Sequence, residues 1–533
     1  MSEGSQRKSL IAGFLNCVRH TPQNPALELG DLVLSYRQLW EHAGRITACL
    51  NSEVSASEKL VALWAGRSVA AYSGILGILA SGRGYVPLNP KFPLERTLYM
   101  LKASRCRAVI VGQECQELVK SLVRCLDAQY TFLAPDEAWK LDPVLFSPHR
   151  LITARSLTTI ANPVDPRVQE DDIAYLLFTS GSTGLPKGVT VGQSNVAAYM
   201  AYAAERFGIR PGDRCSQNFD LTFDLSVHDL FTSWNAGATL CPFIEQTLTP
   251  ATLIEEKELS VWFSVPSVAM FASRLGMLQP GVFPSLRWSL FCGEALPASL
   301  AATWQEAANN SILENLYGPT EATIAITHYR WSSERSPGES AGGLVPIGWP
   351  FAGQQVRVVD EELNFVPEGE VGELCLGGSQ VTPGYLNDPA KTAKSFVRLR
   401  DQGDKLWYRT GDLVRQDERG CLSYIGRRDF QVKINGYRVE LQEIELVLRA
   451  AARTEMAVAV PWPFSDGSAS GVVGVITGSK AADDKAIISA CESRLPRYMV
   501  PSRIYHLERM PLNVNGKIDR PKISEMLSDW SEA

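Results

Sequence analysis

The sequence predicts an α/β fold: a large N-terminal part built on largely parallel sheets and ending in an antiparallel β subdomain, then a small α+β C-terminal domain. Three observations predict it. Short apolar runs alternate with helical patterns through much of the stretch before residue 350. Gly-punctuated short strands follow from Pro346, and a compact α+β pattern fills roughly the last hundred residues. A break near Arg428–Asp429 divides the chain into an expected N-terminal domain, 1–428, and a C-terminal domain, 429–533.

In chain order, Lys59–Trp64, Cys106–Val111, Ile173–Phe178 and Trp262–Val265 read as strands, because each apolar run is too brief for a buried helix. Ala65–Leu79, Ser194–Phe207 and Leu300–Ala308 read as helices. Ser194 or Asn195 is expected to cap the second of these with its short polar side chain, and Gly208 to end it. Gln355–Val359, Val371–Leu376, Leu406–Thr410 and Cys421–Ile425 form the expected β subdomain. Beyond the break, Leu441–Ala451 reads as a helix, and Ala457–Pro461 and Gly471–Gly478 as strands.

Composition removes several function classes. Of 533 residues 45% are hydrophobic and 21% charged, an ordinary globular balance. A net charge of −6 offers no general attraction for nucleic acid. Met1–Lys8 is polar, and Leu10–Val18 is too short and interrupted for a secretory core. The most apolar stretch, Tyr72–Val86, contains Ser81, Arg83 and several glycines, so it reads as buried core and not as a membrane span. The 11 cysteines show no CxxC pair and no Cys/His cluster of metal-ligand spacing, so buried, reduced thiols in a cytoplasmic enzyme are expected.

The sharpest chemical signal is the run Tyr175-Leu-Leu-Phe-Thr-Ser-Gly-Ser-Thr-Gly-Leu-Pro-Lys-Gly188. An apolar strand opens into a loop of Thr179, Ser180, Gly181, Ser182, Thr183 and Gly184, closed by Lys187. Small residues let backbone N–H groups and hydroxyls approach phosphate oxygens, and a lysine adds positive charge. The run departs from GxxxxGK[ST], because Leu185 and Pro186 separate Gly184 from Lys187. A Ser/Gly-rich turn by itself is usually only a turn. This one ends a buried strand and is dense in hydroxyls.

That run resembles the phosphate-binding loop of the acyl-adenylate-forming superfamily, which includes peptide-synthetase adenylation domains, acyl-CoA synthetases and luciferases. Gly84-Tyr-Val-Pro-Leu-Asn-Pro90 is similar to the family's early structural motif, and Asn315-Leu-Tyr-Gly-Pro-Thr-Glu321 to its adenine and metal motif. Tyr408-Arg-Thr-Gly-Asp412 resembles the ribose motif, Gly426-Arg-Arg-Asp-Phe-Gln-Val-Lys-Ile-Asn-Gly436 the hinge and crossover loop, and Pro511-Leu-Asn-Val-Asn-Gly-Lys517 the C-terminal lysine motif. All stand in the family's order. The resemblance implies two stacked α/β sheet subdomains in the large domain, a mobile C-terminal domain, and ATP with Mg²⁺ as cofactors.

It also implies roles. Tyr317 would present its ring to adenine, with Asn315, Gly318 and the backbone near Gly293 around the base. Asp412 suits a ribose diol, since an ionised carboxylate accepts two hydroxyl hydrogen bonds, and Arg427 and Tyr424 would sit at the same nucleotide. Thr320 would touch the α-phosphate and Glu321 would ligate Mg²⁺, a hard cation. Lys517 is the implied catalytic residue. A carboxylate attacks the α-phosphorus and pyrophosphate leaves, so an ammonium bridging the two anions lowers the barrier. Asp429 would be the hinge of a rotation between adenylation and thiolation, with Gly436 near the pantetheine tunnel.

Substrate choice rests on Asn218-Phe-Asp-Leu-Thr-Phe-Asp-Leu-Ser-Val-His-Asp-Leu-Phe231. Amino-acid-activating members place an aspartate where Asp224 falls, as partner of the α-ammonium. Motif register favours Asp224; spacing alone leaves Asp220 open. The other implied lining residues are Leu225, His228, Phe263, Leu290, Cys292, Leu316, Ile324 and Ala325, mostly apolar and without a carboxylate or lysine for a charged side chain. His228 is either a neutral wall or a polar contact. The pattern resembles stand-alone L-prolyl-carrier-protein ligases of natural-product pathways, such as antibiotic or toxin biosynthesis, so L-proline is the expected substrate. A D- or L-alanine-type ligase, an acyl-CoA synthetase and a non-catalytic relative are the alternatives. No Gly-Gly-Xaa-Ser site follows Lys517, so the expected partner is a separate phosphopantetheinylated carrier protein.

Overall fold

The apolar runs of the N-terminal region become central strands because nearly all are buried on both faces and most are followed by a helix. Leu60–Trp64, Ala108–Val111, Val261–Ser264 and Trp288–Phe291 are buried at every position. The structure, a computed structural model, describes residues 9–157, 166, 168–169, 171–181, 184–244, 249–400, 402–429, 431–454, 456–465, 468–477, 483–511 and 518–531. Its contacts group the chain into two units: Met1–Pro90, Leu98–Phe178 and Gly188–Arg428 form the first, and Lys91–Thr97, Thr179–Lys187 and Asp429–Ala533 the second.

The first unit holds a seven-stranded and a nine-stranded sheet, each mainly parallel, and a five-stranded antiparallel sheet. The seven-stranded sheet runs Arg150–Thr153, Thr131–Ala134, Ala108–Val111, Leu60–Trp64, Gly84–Leu88, Ile173–Thr179, Lys187–Gly192. The nine-stranded sheet centres on the parallel neighbours Thr239–Pro242, Arg214–Gln217, Val261–Ser264, Trp288–Phe291 and Ile312–Tyr317. One continuous core takes side chains from both, including Val61, Leu63, Ile110 and Tyr175 from one and Leu240, Phe263 and Leu290 from the other. The α/β fold expected from the sequence is therefore the fold observed.

Several boundaries move for local reasons. The first expected helix begins at Val69, because Ser68 accepts the Ala71 N–H as its cap. The Gln193–Phe207 helix is entered from Gly192, and Asn195 does not cap it from the N-cap position. Instead its Oδ1 accepts the Gly192 N–H at 3.0 Å, while its amide donates to the Ser379 and Val381 carbonyls. Gly208 ends the helix as expected, with φ +50°. The strand expected at Leu406–Thr410 runs on as Trp407–Gln416, carrying Asp412 into the sheet.

The second unit contains a three-stranded sheet, Ala457–Pro461, Val472–Thr477 and Ile504–Leu507, packed by the helix Leu441–Ala452. The hairpin Gln431–Ile434/Tyr437–Glu440 turns on Asn435 and Gly436, at φ +49° and +81°. Left-handed backbone at both turn positions selects Asn-Gly, so the hairpin itself accounts for Gly436.

Candidate active site

Within the first unit three of the expected lining residues share one face of the central strands. Phe263, Leu290 and Leu316 lie on that face of three adjacent strands, Cys292 directly follows one of them, and all four are at most 1% exposed. Leu225, Ile324 and Ala325 join the same core. Gly318 lies so close behind that a Cβ would fall 2.6 Å from the Ala325 Cα, so only glycine fits.

Asp224 stands at the entrance of the helix Leu225–Asn235, buried, and its Oδ2 accepts the Ile324 N–H at 3.2 Å. Asp220 is engaged on both oxygens. Its Oδ1 accepts from the Thr222 N–H (2.9 Å) and Oγ (2.6 Å), and its other oxygen accepts from Asn89. A third acid, Asp229, is buried on the helix and accepts the Asn218 N–H; burial pushes its carboxyl well up. His228 is buried with its Nδ1 2.6 Å from the Tyr199 hydroxyl and its ring 4.5 Å from that of Phe263. Desolvation pulls the imidazole from 6.5 down to about 3, so the ring is neutral.

The nucleotide candidates of this unit form a second group. Antiparallel pairing sets Asp412 opposite Arg427, and the guanidinium donates to Asp412 Oδ1 at 2.5 Å and to the Thr410 carbonyl at 3.1 Å. The Tyr317 hydroxyl donates to the other Asp412 oxygen. Asn315 donates to the Pro346 carbonyl at 2.9 Å, while its buried Oδ1 has no partner among the described residues. Tyr424 packs against the main core, and Gly293 takes φ +90°. Thr320 opens the short 3₁₀ turn Thr320–Ala322, and Glu321, 0% exposed, accepts from the Tyr385 hydroxyl at 2.8 Å.

In the second unit, the Ser180 hydroxyl donates to the Arg438 carbonyl (2.6 Å) and accepts the Glu440 N–H (3.2 Å). Gly181 and Gly184 close a turn through a 3.0 Å backbone bond, with Gly184 at φ +81°. Thr179 and Lys187 flank that turn at strand ends. The buried Glu443, paired with Arg96 at 2.5 Å, accepts the Gly181 N–H. Asp429 accepts the Gln431 N–H at 3.2 Å. Lys517, Ser182 and Thr183 lie outside the described residues.

Residues 14–386 match the family described as AMP-binding enzyme. The chain belongs to that family. This AMP-binding enzyme is 33% identical over 522 residues to tyrocidine synthase 3 of Brevibacillus parabrevis, covering 96% of the chain but 8% of that protein's length. It is 30% identical to the D-alanine--D-alanyl carrier protein ligase of Bacillus cereus, over 94% of this chain and 96% of that one. Among solved structures, the Vibrio cholerae adenylation domain AlmE in complex with glycyl-adenosine-5'-phosphate superposes with a TM-score of 0.88, at 33% identity and 99% coverage of each. The AMP-binding enzyme is thus a ligase of the adenylation-domain type, a class that uses ATP.

Sequence reasoning missed the phenols around Asp224. Burial first and the Asp224 charge second push the hydroxyls of Tyr85 and Tyr175 far up, and neither has a hydrogen-bond partner among the described residues. Both stand in runs singled out for other reasons, and their inward direction follows from the parallel Tyr85–Tyr175 pairing. Among the described residues no helix is long and apolar enough to cross a membrane.

Proposed function

We propose that this chain uses ATP and Mg²⁺ to activate an amino acid as its aminoacyl adenylate and then loads it onto the phosphopantetheine thiol of a carrier protein. The observation that carries the reading is Asp224: a buried carboxylate that accepts the Ile324 N–H, set beside the apolar core residues Leu225 and Ile324. A fatty or aryl acid has nothing to offer that charge, whereas an α-ammonium neutralises it. Asp220 already has donors on both oxygens, Thr222 on one and the distant Asn89 on the other.

Glu321 fits Mg²⁺: it is a hard oxygen donor fixed by Tyr385, and Mg²⁺ is commonly held by one or two carboxylates together with substrate phosphates. When bound, the ion would neutralise phosphate charge. Tyr317, Asp412 and Arg427 would orient adenosine, Thr320 would contact the α-phosphate, and Lys517 would stabilise charge on the reacting oxygens. Asp429 would serve as the hinge between 1–428 and 429–533.

L-Proline is the substrate we assign. Leu225, Phe263, Leu290 and Leu316 can cover the faces of a pyrrolidine ring, and the neutral His228 adds no charge. Burying three ring methylenes at about 0.8 kcal/mol each gives roughly 2 kcal/mol, a preference of about thirtyfold over glycine. The 30% identity to a D-alanine ligase over nearly its whole length favours alanine as the second reading. ATP–pyrophosphate exchange with L-proline, both alanines, glycine, valine and short fatty acids decides among them. Alanine above proline at equal concentration overturns the proline assignment. Exchange with fatty acids alone overturns amino-acid activation.

A further inference from the structure

The turn after Ile312–Tyr317 holds two consecutive non-glycine residues in left-handed backbone, Thr323 at φ +57° and Ile324 at +73°. For β-branched side chains this conformation is costly and persists only where neighbours impose it. Ile324 in that conformation delivers its N–H to Asp224 and packs in the same buried core as the other lining residues.

Gln380 is the neighbour that imposes it. It is 0% exposed, and its Nε2 donates to the carbonyls of Ala325 (2.7 Å), Thr323 (3.1 Å) and Ala322 (3.3 Å). Its own carbonyl accepts the Thr323 hydroxyl at 2.6 Å. Thr382, two residues on, donates its N–H to the Glu321 carbonyl at 2.9 Å. An amide bearing only donors on this side matches a turn that presents only carbonyls to it.

We propose that Gln380 is a positioning residue for amino-acid recognition: it holds the strained Thr323–Ile324 turn so that the Ile324 N–H fixes the Asp224 carboxylate toward the substrate ammonium. This rests on Asp224 being the ammonium partner. Gln380 acts through the turn it holds.

Gln380→Leu keeps the volume and removes the donors. In pyrophosphate exchange it should raise the amino-acid KM roughly tenfold, the effect of losing about one neutral hydrogen bond's worth of positioning, with the ATP KM changed less than twofold. Gln380→Glu, which sets a carboxylate against three carbonyls, should be worse. Combined with Asp224→Ala, Gln380→Leu should add little further loss, because its effect passes through Asp224. A merely structural residue would raise both KM values or add its loss in full. Either result, or a folded Gln380→Leu with an unchanged amino-acid KM, overturns the proposal. Should Gln380→Leu not fold, Thr323→Val removes the hydroxyl bond alone and must shift the amino-acid KM in the same direction. If Asp224→Ala itself leaves that KM unchanged, the reading of Asp224 fails; if only the Gln380 arm fails, that reading stands.

Discussion

His228 sets a pH limit on the stability of the fold. Its imidazole is 1% exposed, ringed by Tyr199, Phe207 and Phe263, and desolvation lowers it from 6.5 to about 3. The folded protein therefore binds this proton more weakly than the unfolded chain. Stability from the neutral ring is fully present above pH 6.5 and is lost as pH falls toward 3. At pH 5 the gap between the two titration curves amounts to roughly 2 kcal/mol. His328 is also lowered by burial, to about 4, and adds a loss of the same sign, so wild type alone cannot isolate one ring. The comparison that does is wild type against His228→Gln, which stays neutral throughout. Urea unfolding at pH 7 and pH 5, at equal ionic strength, should show wild type losing about 2 kcal/mol more than the variant over that interval. Equal losses would mean that the ring titrates normally, and the neutral wall inferred for the pocket would fall with it.

Three further outcomes are expected. Asp224→Ala should cost roughly 3–5 kcal/mol of substrate recognition, at least about a hundredfold in kcat/KM for the amino acid, with ATP binding little changed; retention of activity would place the ammonium elsewhere. Tyr317→Phe keeps the ring but removes the hydroxyl from Asp412, so the ATP KM should rise about tenfold while the amino-acid KM stays put. Lys517→Ala should nearly abolish pyrophosphate exchange yet leave thiolation from preformed adenylate intact, and an equal loss in both half-reactions would refute the division of labour.

The parts of the fold that were legible are those in which local chemistry and tertiary burial agree. Ala457–Pro461 and Gln355–Val359 are strands with the boundaries the apolar pattern predicts, and Gly208 ends its helix because left-handed backbone suits glycine. Asn195 misled because its side chain has two tasks, one local at Gly192 and one far away at Ser379 and Val381, and only the first leaves a local signal. Gly436 carried a family role by resemblance, whereas its immediate physical cause is a hairpin turn. In the candidate site, the motif singled out Asp224, and the structure shows that residue buried and bonded to the Ile324 N–H. Gln380 and Tyr385 were not legible, since each meets its partner across a long separation in sequence and belongs to no chemically distinctive pattern.

Three of the first unit's buried carboxylates carry the proposed chemistry, and one short stretch of chain reaches all of them. Tyr317 donates to Asp412, Glu321 is itself the second carboxylate, and the Ile324 N–H reaches Asp224. Each carboxylate is buried, and each has a donor within hydrogen-bond distance, which is the condition for keeping a buried charge or polar group without a large penalty. The stretch Tyr317–Ile324 leaves the end of a central strand and must turn within a few residues, so its path is set by Gly318 packing on Ala325 and by the Gln380 amide. On the roles proposed above, nucleotide, metal and amino-acid recognition are tied to one backbone conformation. A change to a donor at one end, as in Tyr317→Phe, should be felt by one ligand only. Forcing a side chain onto Gly318 displaces the shared backbone, and should raise the KM values of ATP and amino acid together.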